Sequence, residues 1–262
     1  MNKSSLKVIT QNCFLSKKVP KLISMMNREQ ADVYCLQEIR NLKTAERISR
    51  KTGYEFIISS GWRAFYRMKL HTAIFTNMQK DNHGELDFTK TRRVYGNHFG
   101  GKALWVNLKI GKKIIRIYSC HLSPTGLSIE KRLSVLEEIL NHSQKFHGPI
   151  LIGGDMNTTL PEKGKGTRLI RWWSRIPRVD IVKNRGKFRQ NEKHAFYEQL
   201  KSSGFEESLS LDKNTWVLPY TKKEMFKLKL DWLIYKNLDK ISAKLGPIIG
   251  DHKSIIGEFM IN

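Results

Sequence analysis

Short apolar runs typical of β-strands alternate with helical patterns along the whole chain. The apolar residues Val19, Leu22, Ile23 and Met26 have the i, i+3, i+4, i+7 spacing of one helix face. Further helices are predicted at 42–51, closed by Gly53, and at 128–146, with Ser128 as N-cap. Strands are predicted at 6–11, 33–37, 54–59, 71–76, 103–110, 113–118, 150–153, 215–218, 228–235 and 255–260.

The order of these elements predicts a layered α/β fold. A two-residue loop, Gly111-Lys112, separates two of the strands and suits a type II′ turn, so this pair must be antiparallel. Elsewhere helices separate the strands, which predicts helices covering sheets. The sequence shows no repeats and no low-complexity linker, and we expect one domain over residues 1–262.

Composition narrows the class of protein. The chain has 262 residues, with 47 Lys and Arg against 24 Asp and Glu, a formal net charge of +23. No apolar run approaches the roughly 20 residues needed to span a bilayer. The N-terminal sequence lacks the pattern of a secretory signal, so we expect a cytoplasmic protein, or a secreted one if a signal has been removed, and we expect a monomer. The cysteines, which are far apart and lack a CxxC pair, are expected to be buried reduced thiols: Cys13, Cys35 and Cys120.

Polar residues recur at or near the ends of the predicted apolar strands. In α/β sheets, strand ends are where functional sites assemble. Taken singly, each such residue is more readily explained as a structural residue, for example a cap or a turn residue. Together they offer the amides, carboxylates and histidines that a phosphoryl-transfer site with a hard cation requires. These positions are Gln11-Asn12, Gln37-Glu38, His121, Asp155 with Asn157, Asp231, and Asp251-His252.

Six sequence blocks carry a family resemblance. They are Asn12 after the first strand, LQEIR at 36–40, SCHLS around His121, GGDMNT at 153–158, LDWLIY at 230–235 and GDHKSI at 250–255. In this order they resemble the signature of the endonuclease/exonuclease/phosphatase superfamily, the DNase I-like fold, from about residue 8 to 258. The resemblance implies a four-layer α/β sandwich, two packed mixed β-sheets flanked by helices, with the site at one end.

The chemistry of the side chains is consistent with a metal site. Mg²⁺ prefers oxygen ligands and keeps most of its waters, so the Glu38 carboxylate would suffice with help from the Asn12 amide oxygen and Asp251. Mn²⁺ would serve in the same way. Asp251 has a second interpretation, as a turn cap after Gly250.

The other side chains have the chemistry for hydrolysis. Asp155 is the candidate to orient a water molecule or to accept its proton, and Asn157 would donate a hydrogen bond to the developing charge. On an extended segment these two side chains would point to the same side. His121 and His252 could donate to phosphate oxygens, and the resemblance implies that Asp231 is the carboxylate behind His252. His121 could also be a buried histidine bonded to the backbone.

The net charge points to an anionic substrate, and a basic surface that binds nucleic acid releases counterions. Arg40, directly after the Glu38 block, resembles an arginine of DNase I-type enzymes, although it could equally be an exposed loop residue. A basic, aromatic-containing excursion at 161–193 holds 11 Lys and Arg against 3 Asp and Glu. It could clamp a nucleic-acid backbone and stack on bases, and its candidate substrate-binding residues are Arg171, Trp172, Arg175 and Arg178.

Other interpretations of the excursion remain open. Its apolar residues have helix-like spacing, so its tryptophans could belong to the core. Aromatic residues beside cations would also suit peripheral contact with an anionic membrane, and a lysine-rich composition can reflect solubility alone.

We therefore expect a metal-dependent phosphodiesterase acting on nucleic acid, with a DNA endonuclease favoured. The alternatives are a lipid or small-molecule phosphodiesterase of the sphingomyelinase type, a tyrosyl-DNA phosphodiesterase, and a nucleic-acid-binding protein without catalysis. The chain departs from secreted DNases, which carry a glutamate that supports the first histidine. No clear counterpart is found here, and Met68 lies near the corresponding position.

Overall fold

Two β-sheets packed face to face form the centre of the protein. A computed structural model describes residues 5–63, 69–88, 101–122, 129–158, 192–217 and 228–261. The first sheet contains, in spatial order, β12 (Asp239–Ile249), β13 (His252–Met260), β1 (Ser5–Asn12), β2 (Val33–Ile39), β5 (Lys69–Thr76) and β3 (Glu55–Ile58), with β4 (Trp62–Arg63) also paired to β5. The second contains β10 (Glu206–Glu207), β11 (Asp231–Lys236), β9 (Ile150–Asp155), β8 (Lys113–His121), β7 (Lys102–Ile110) and β6 (Lys80–Asp87).

Helices cover the outer face of each sheet. α1 (Val19–Glu29) and α2 (Leu42–Thr52) bury Leu22, Met26 and Ile48 against the first sheet. α3 (Ile129–Gln144) and α4 (Glu192–Ser202) pack in the same way on the second sheet, through side chains such as Leu136 and Phe196. A third apolar cluster fills the space between the sheets. The order helix, sheet, sheet, helix confirms the predicted four-layer α/β sandwich.

Each sheet is built around one parallel pair of strands. β1 is parallel to β2 and the connection contains α1, whereas β8 is parallel to β9 and the connection contains α3. The other strand pairs described are antiparallel. β11 and β13 therefore begin where β9 and β1 end, and Asp231 lies directly opposite Asp155 in the register. This topology gathers six strand ends at one end of the sandwich.

Most predicted elements are present, and the local turn chemistry explains several boundaries. Gly53 ends α2 with a left-handed φ of 76°. Gly111 has a φ of 60° in the two-residue loop that pairs Ile110 with Lys113. The three cysteines are buried and free, as predicted. No described helix is long and apolar enough to cross a membrane.

Five elements were not predicted from the sequence, and one predicted strand was wrong. The five are β4, β6, β10, β12 and α4. β4 and β10 have only two residues each, β6 and β12 are edge strands whose side chains are mostly exposed or only partly buried, and α4 begins at the end of the basic excursion. The strand predicted at 215–218 is wrong over 215–217, where a single bridge joins Trp216 to His252. Residues 161–191 of the excursion and the predicted cap Ser128 lie outside the described residues.

Candidate catalytic and metal centre

Polar side chains from both sheets meet at one end of the sandwich. Their positions follow from the topology, because the parallel strands end and their antiparallel neighbours begin at this edge. All of the strand-end residues are buried except Glu38, whose side chain is 18% exposed. They are Asn12 at the end of β1, Glu38 in β2, His121 at the end of β8, Asp155 at the end of β9, Asp231 at the start of β11 and His252 at the start of β13.

Asn12 links the two carboxylates at the centre of the site. Its Nδ2 donates to Asp155 Oδ2 at 2.8 Å and to Glu38 Oε1 at 3.2 Å. Its Oδ1 accepts from the backbone N–H of Phe14 at 2.9 Å. The amide oxygen, which the sequence suggested as a metal ligand, is therefore engaged by the backbone. This geometry favours a role for Asn12 in holding the carboxylates in place.

A left-handed turn after β1 holds the Glu38 carboxylate. Phe14, Leu15 and Ser16 have φ values of 49°, 54° and 57°, and Glu38 itself has a φ of 59°. Such conformations cost about 1–2 kcal/mol for each residue other than glycine. The turn aims the N–H of Leu15 at Glu38 Oε2, at 2.8 Å. Strained backbone at four positions, stabilised by this contact, points to a site whose geometry matters.

Burial and a neighbouring negative charge act on Glu38 together. Burial raises the pKa of its carboxyl group, and the charge of Asp251 raises it further. His252 and the hydrogen bonds from Asn12 and Leu15 act in the opposite direction without cancelling the effect. A cation beside Glu38 would relieve this repulsion.

His252 and Asp231 form a buried ion pair. His252 Nδ1 lies 2.8 Å from Asp231 Oδ2, and the hydroxyl oxygen of Thr215 accepts from the backbone N–H groups of Leu230 and Asp231 at 2.9 Å each. Burial disfavours the imidazolium, but the Asp231 carboxylate, with Asp155 and Asp251 beyond it, raises the pKa of His252 to about 10. His252 is therefore a cation whose Nε2–H faces the site.

Asp155 lies at the meeting point of these groups. Its Oδ2 is 3.6 Å from His121 Nε2 and 3.9 Å from His252 Nε2, and its Oδ1 accepts from the backbone N–H of Asn157 at 2.9 Å. Burial, followed by the charge of Asp231, raises the pKa of Asp155 to about 7 against the opposing effect of His252. A carboxylate with a near-neutral pKa suits proton transfer at physiological pH.

The segment after Asp155 is not extended, so the expectation of an extended chain through residue 157 was wrong. β9 ends at Asp155, and Asn157 has a left-handed φ of 50°. The Nδ2 of Asn157 donates to the carbonyl of Leu122 at 2.7 Å. One N–H of the amide thus fixes the side chain, and the amide carries a second N–H that can be offered to a substrate oxygen.

His121 differs from His252 in its surroundings. Its Nδ1 is buried and has no hydrogen-bond partner in the described part of the chain, and its ring meets the Trp62 ring at 67° with centroids 4.9 Å apart. Burial, followed by the positive charge of His252, lowers the pKa of His121 to about 3. One histidine is thus charged and held by a carboxylate, and the other is neutral and held by an aromatic ring.

Sequence reasoning missed two residues that position the site. Trp62 belongs to a two-residue strand whose pattern gave no sign of a contact with His121. Thr215 was assigned to a strand, and its side chain instead anchors the backbone at Asp231. The Thr215-Trp216 dipeptide ahead of the LDWLIY block is the one sequence feature that could have pointed to Thr215. Met68 lies outside the described residues.

The oxygen atoms at the site fit a hard divalent cation. Asp251 Oδ2 accepts from Trp216 Nε1 at 3.2 Å, whereas Asp251 Oδ1 is buried without a hydrogen-bond partner among the described residues. The pKa of Asp251 is raised by burial. Asp251 Oδ1 lies 3.8 Å from His252 Nε2, and the charge of Asp251 acts on Glu38. These carboxylate oxygens are donors of the kind that Mg²⁺ prefers.

A second group of side chains is also close enough to hold a cation. One ligand atom each from Asp155, Asp231 and His252 lies within 4.8 Å of the others. In this group, however, His252 would have to be a neutral ligand, whereas the Asp231 carboxylate holds it as an imidazolium. The charge of His252 therefore favours Glu38 with Asp251, whose ligand atoms are all oxygens.

The predicted substrate-binding residues are only partly described. Arg40 is exposed two positions after Glu38, and its backbone N–H donates at 3.1 Å to Ser16 Oγ, which in turn donates to the carbonyl of Glu38. The turn that holds Glu38 therefore also fixes the start of the Arg40 loop. The excursion residues Arg171, Trp172, Arg175 and Arg178 lie outside the described part of the chain.

A sandwich of two mixed sheets between helix layers, with carboxylates, amides and imidazoles gathered at one end, defines the DNase I-like class of α/β proteins. The family model described as Endonuclease/Exonuclease/phosphatase family matches residues 9–236. The chain therefore belongs to this family, whose members are phosphoester hydrolases. No curated protein matches the sequence.

Solved structures of low sequence identity share the fold. An endonuclease/exonuclease/phosphatase from Beutenbergia cavernae superposes with a TM-score of 0.72 at 12% identity, covering 99% of this chain and 72% of that one. A family protein from Leptotrichia buccalis gives 0.68 at 18% identity, with 98% and 99% covered. Humanized D. rerio TDP2 gives 0.67 at 13% identity, also with 98% and 99% covered.

Proposed function

We propose that this protein is a Mg²⁺- or Mn²⁺-dependent phosphodiesterase that hydrolyses nucleic acid by one-step in-line attack of water. DNA is the substrate we favour. The observation that carries the proposal is the bridge made by Asn12. One amide holds Asp155, whose pKa is near neutral, at a fixed position relative to Glu38, the carboxylate best placed for a metal. A proton acceptor and a cation site held together in this way suit water-mediated phosphoryl transfer.

Glu38 and Asp251 are the residues that would hold the cation. Glu38 is presented by the left-handed turn, and Asp251 offers Oδ1, which accepts no hydrogen bond from the described residues. A bound divalent cation supplies Lewis acidity, polarising a phosphate oxygen and neutralising negative charge in the transition state.

The other residues act on the water and on the phosphate oxygens. Asp155 accepts the proton of the attacking water. Asn157 donates an amide N–H to the developing charge, and the His252 imidazolium, fixed by Asp231, donates through Nε2. His121 is neutral and would act as a positioned hydrogen-bond donor rather than as a cation.

Nucleic acid is the substrate that the charge supports best. A net charge of +23 on 262 residues gives a long-range attraction for polyanions. The family name, Endonuclease/Exonuclease/phosphatase, covers both nucleases and phosphatases. A lipid or small-molecule phosphoester hydrolase is therefore the competing assignment, and the substrate panel below separates the two.

The test is a metal-dependent activity panel with an isosteric variant. We expect nicking of supercoiled DNA in Mg²⁺ or Mn²⁺, none in EDTA, and a loss of at least about 100-fold in Asp155→Asn. Asp81→Asn, which removes a carboxylate paired with Lys109 on an outer strand, is the matched control and should retain full activity. Single strands, abasic duplex, 5′-tyrosyl DNA, RNA and sphingomyelin complete the panel. Release of phosphocholine without cleavage of any nucleic acid would overturn the assignment, as would full activity of Asp155→Asn.

A further inference from the structure

Exposed cations lie at the start of α1 and along the outer face of α2. Three precede or open α1, namely Lys17, Lys18 and Lys21, and two are the second and sixth residues of α2, namely Lys43 and Arg47. We call these five residues the basic rim. None of them was singled out by the sequence patterns, because lysine and arginine are frequent throughout the chain.

The basic rim lies at the end of the sandwich that carries the candidate site. β1 ends at Asn12 and α1 begins at Val19, whereas β2 ends directly after Glu38 and α2 begins at Leu42. Because β1 and β2 are parallel neighbours, both helices begin at the edge where the site carboxylates lie. Lys43 and Arg47 are one helical turn apart on the face opposite the buried Ala45 and Ile48.

The rim charges are not neutralised by the protein. No side chain of the rim forms an ion pair with a described residue; Lys17 instead lies over the Phe14 ring at 4.9 Å. Neither helix has an acidic residue in its first turn. Glu46 is exposed on α2 and does not pair with the rim either.

This arrangement lowers the stability of the two helices. Cations in the first turn of a helix, here Lys21 and Lys43, oppose the macrodipole and destabilise the helix. Lys43 and Arg47 also repel each other at i, i+4, which destabilises α2 further. A surface that keeps unpaired charge at a local cost in stability is best explained by an anionic partner that binds there.

We propose that the basic rim binds the phosphate backbone of a nucleic-acid strand as it leaves the cleavage site past Glu38 and Arg40. This proposal rests on the proposed function. It implies that the substrate is a polymer, since a small phosphoester bound at the site would not reach past Arg40 to the rim. Four lysines and one arginine make charge contacts with phosphates and carry no base readout, so binding along the rim is independent of sequence.

A membrane fits the rim less well than nucleic acid. An interfacial surface needs apolar side chains that insert beside the cations. Of the large hydrophobic residues exposed in the described part of the chain, only Leu42 lies at the rim. A single leucine supplies little apolar area for insertion, whereas phosphate contacts need none.

The experiment compares two double variants on the same helix. Lys43→Gln/Arg47→Gln removes two rim charges, and Arg50→Gln/Lys51→Gln removes two exposed charges from the last turn of α2. The midpoint of the control pair lies about 8 Å further along the helix axis, away from the site. Binding of a fluorescent 30-base-pair duplex is measured in EDTA, without cleavage, over a series of KCl concentrations.

The rim variant should bind about tenfold more weakly than the wild type, and the slope of log K against log[KCl] should fall by about 2, since each phosphate contact contributes about 0.9. The control variant should keep both values, and hydrolysis of bis(p-nitrophenyl) phosphate should be unchanged in the two variants. Equal losses of DNA affinity in the rim and control variants would overturn the proposal. It would also be overturned if the rim variant bound DNA as well as the wild type but no longer bound phosphatidylserine vesicles. Binding is measured without turnover, so a failure of the proposed enzymatic function would show in the activity panel and leave this test intact.

Discussion

Replacing Asp231 with asparagine removes a charge from the centre of the site and keeps the shape of the side chain. Asp231 Oδ2 lies 2.8 Å from His252 Nδ1, and both residues are buried. An asparagine oxygen can still accept from Nδ1–H, and the backbone at 231 remains anchored to Thr215. The variant therefore tests the charge on residue 231 rather than the fold around it.

The structure gives the expected magnitude. Against the effect of burial, the carboxylates around His252 raise its pKa from 6.5 to about 10. At about 1.4 kcal/mol for each pH unit, this difference corresponds to about 5 kcal/mol. Asp155 and Asp251 supply part of it and remain in the variant, so we expect Asp231→Asn to lose about 3 kcal/mol of the free energy of unfolding at pH 7.

The pH dependence has a definite sign. Because the folded pKa of His252 lies above its unfolded value, this stabilisation is fully present below pH 6.5 and is lost as the pH rises through about 10. The gap in unfolding free energy between wild type and Asp231→Asn should accordingly narrow from pH 6.5 to 10. Urea denaturation in EDTA at several pH values measures it, and nicking activity in Mg²⁺ should fall by about 100-fold or more.

A matched variant keeps this result interpretable. Asp81→Asn breaks an ion pair with Lys109 whose side chains are 35% and 42% exposed, so it should cost less than about 1 kcal/mol. Equal stability of Asp231→Asn and wild type at pH 7, or a gap that does not change up to pH 10, would refute the assignment of His252 as a buried cation held by Asp231.

Much of the site was accessible from the sequence because it follows from strand topology. Asn12, Glu38, His121 and Asp155 each stand at or beside the end of a parallel strand, and such ends share one edge of a sheet. Carboxylates, amides and histidines that follow apolar runs therefore indicate which edge of the sheet carries the site, even when no side-chain contact is known. The alternation of strands and helices predicted helices covering sheets, whereas the four-layer architecture was implied by the family resemblance.

The contacts that orient the site were not accessible, since they depend on backbone strain and on distant parts of the chain. The left-handed turn at 14–16 contains neither glycine nor asparagine, the residues that usually signal such a turn. The rings of Trp62 and His121 are in contact although the two residues belong to different sheets, and no local sequence pattern predicts that contact. The polar edge strand β6 lacks the apolar alternation by which strands are recognised.

Four further predictions address the groups that orient the site. Asn12→Ala should lower activity about 100-fold or more in steady-state assays, since it unlinks the two carboxylates. EDTA should abolish hydrolysis and leave the far-UV circular dichroism unchanged, because hydrogen bonds hold the site side chains; loss of structure would contradict this. Gly250→Ala should cost about 1–3 kcal/mol in urea denaturation, because φ at 250 is 70° and a Cβ would overlap that of Phe14; an unchanged midpoint would contradict it. Trp62→Leu should lower kcat about tenfold with KM nearly unchanged, whereas Trp62→Phe should retain most activity, because the ring holds His121 in place. In a His121→Ala background the same Trp62→Leu change should cost almost nothing further; full additivity of the two losses would show that Trp62 acts elsewhere.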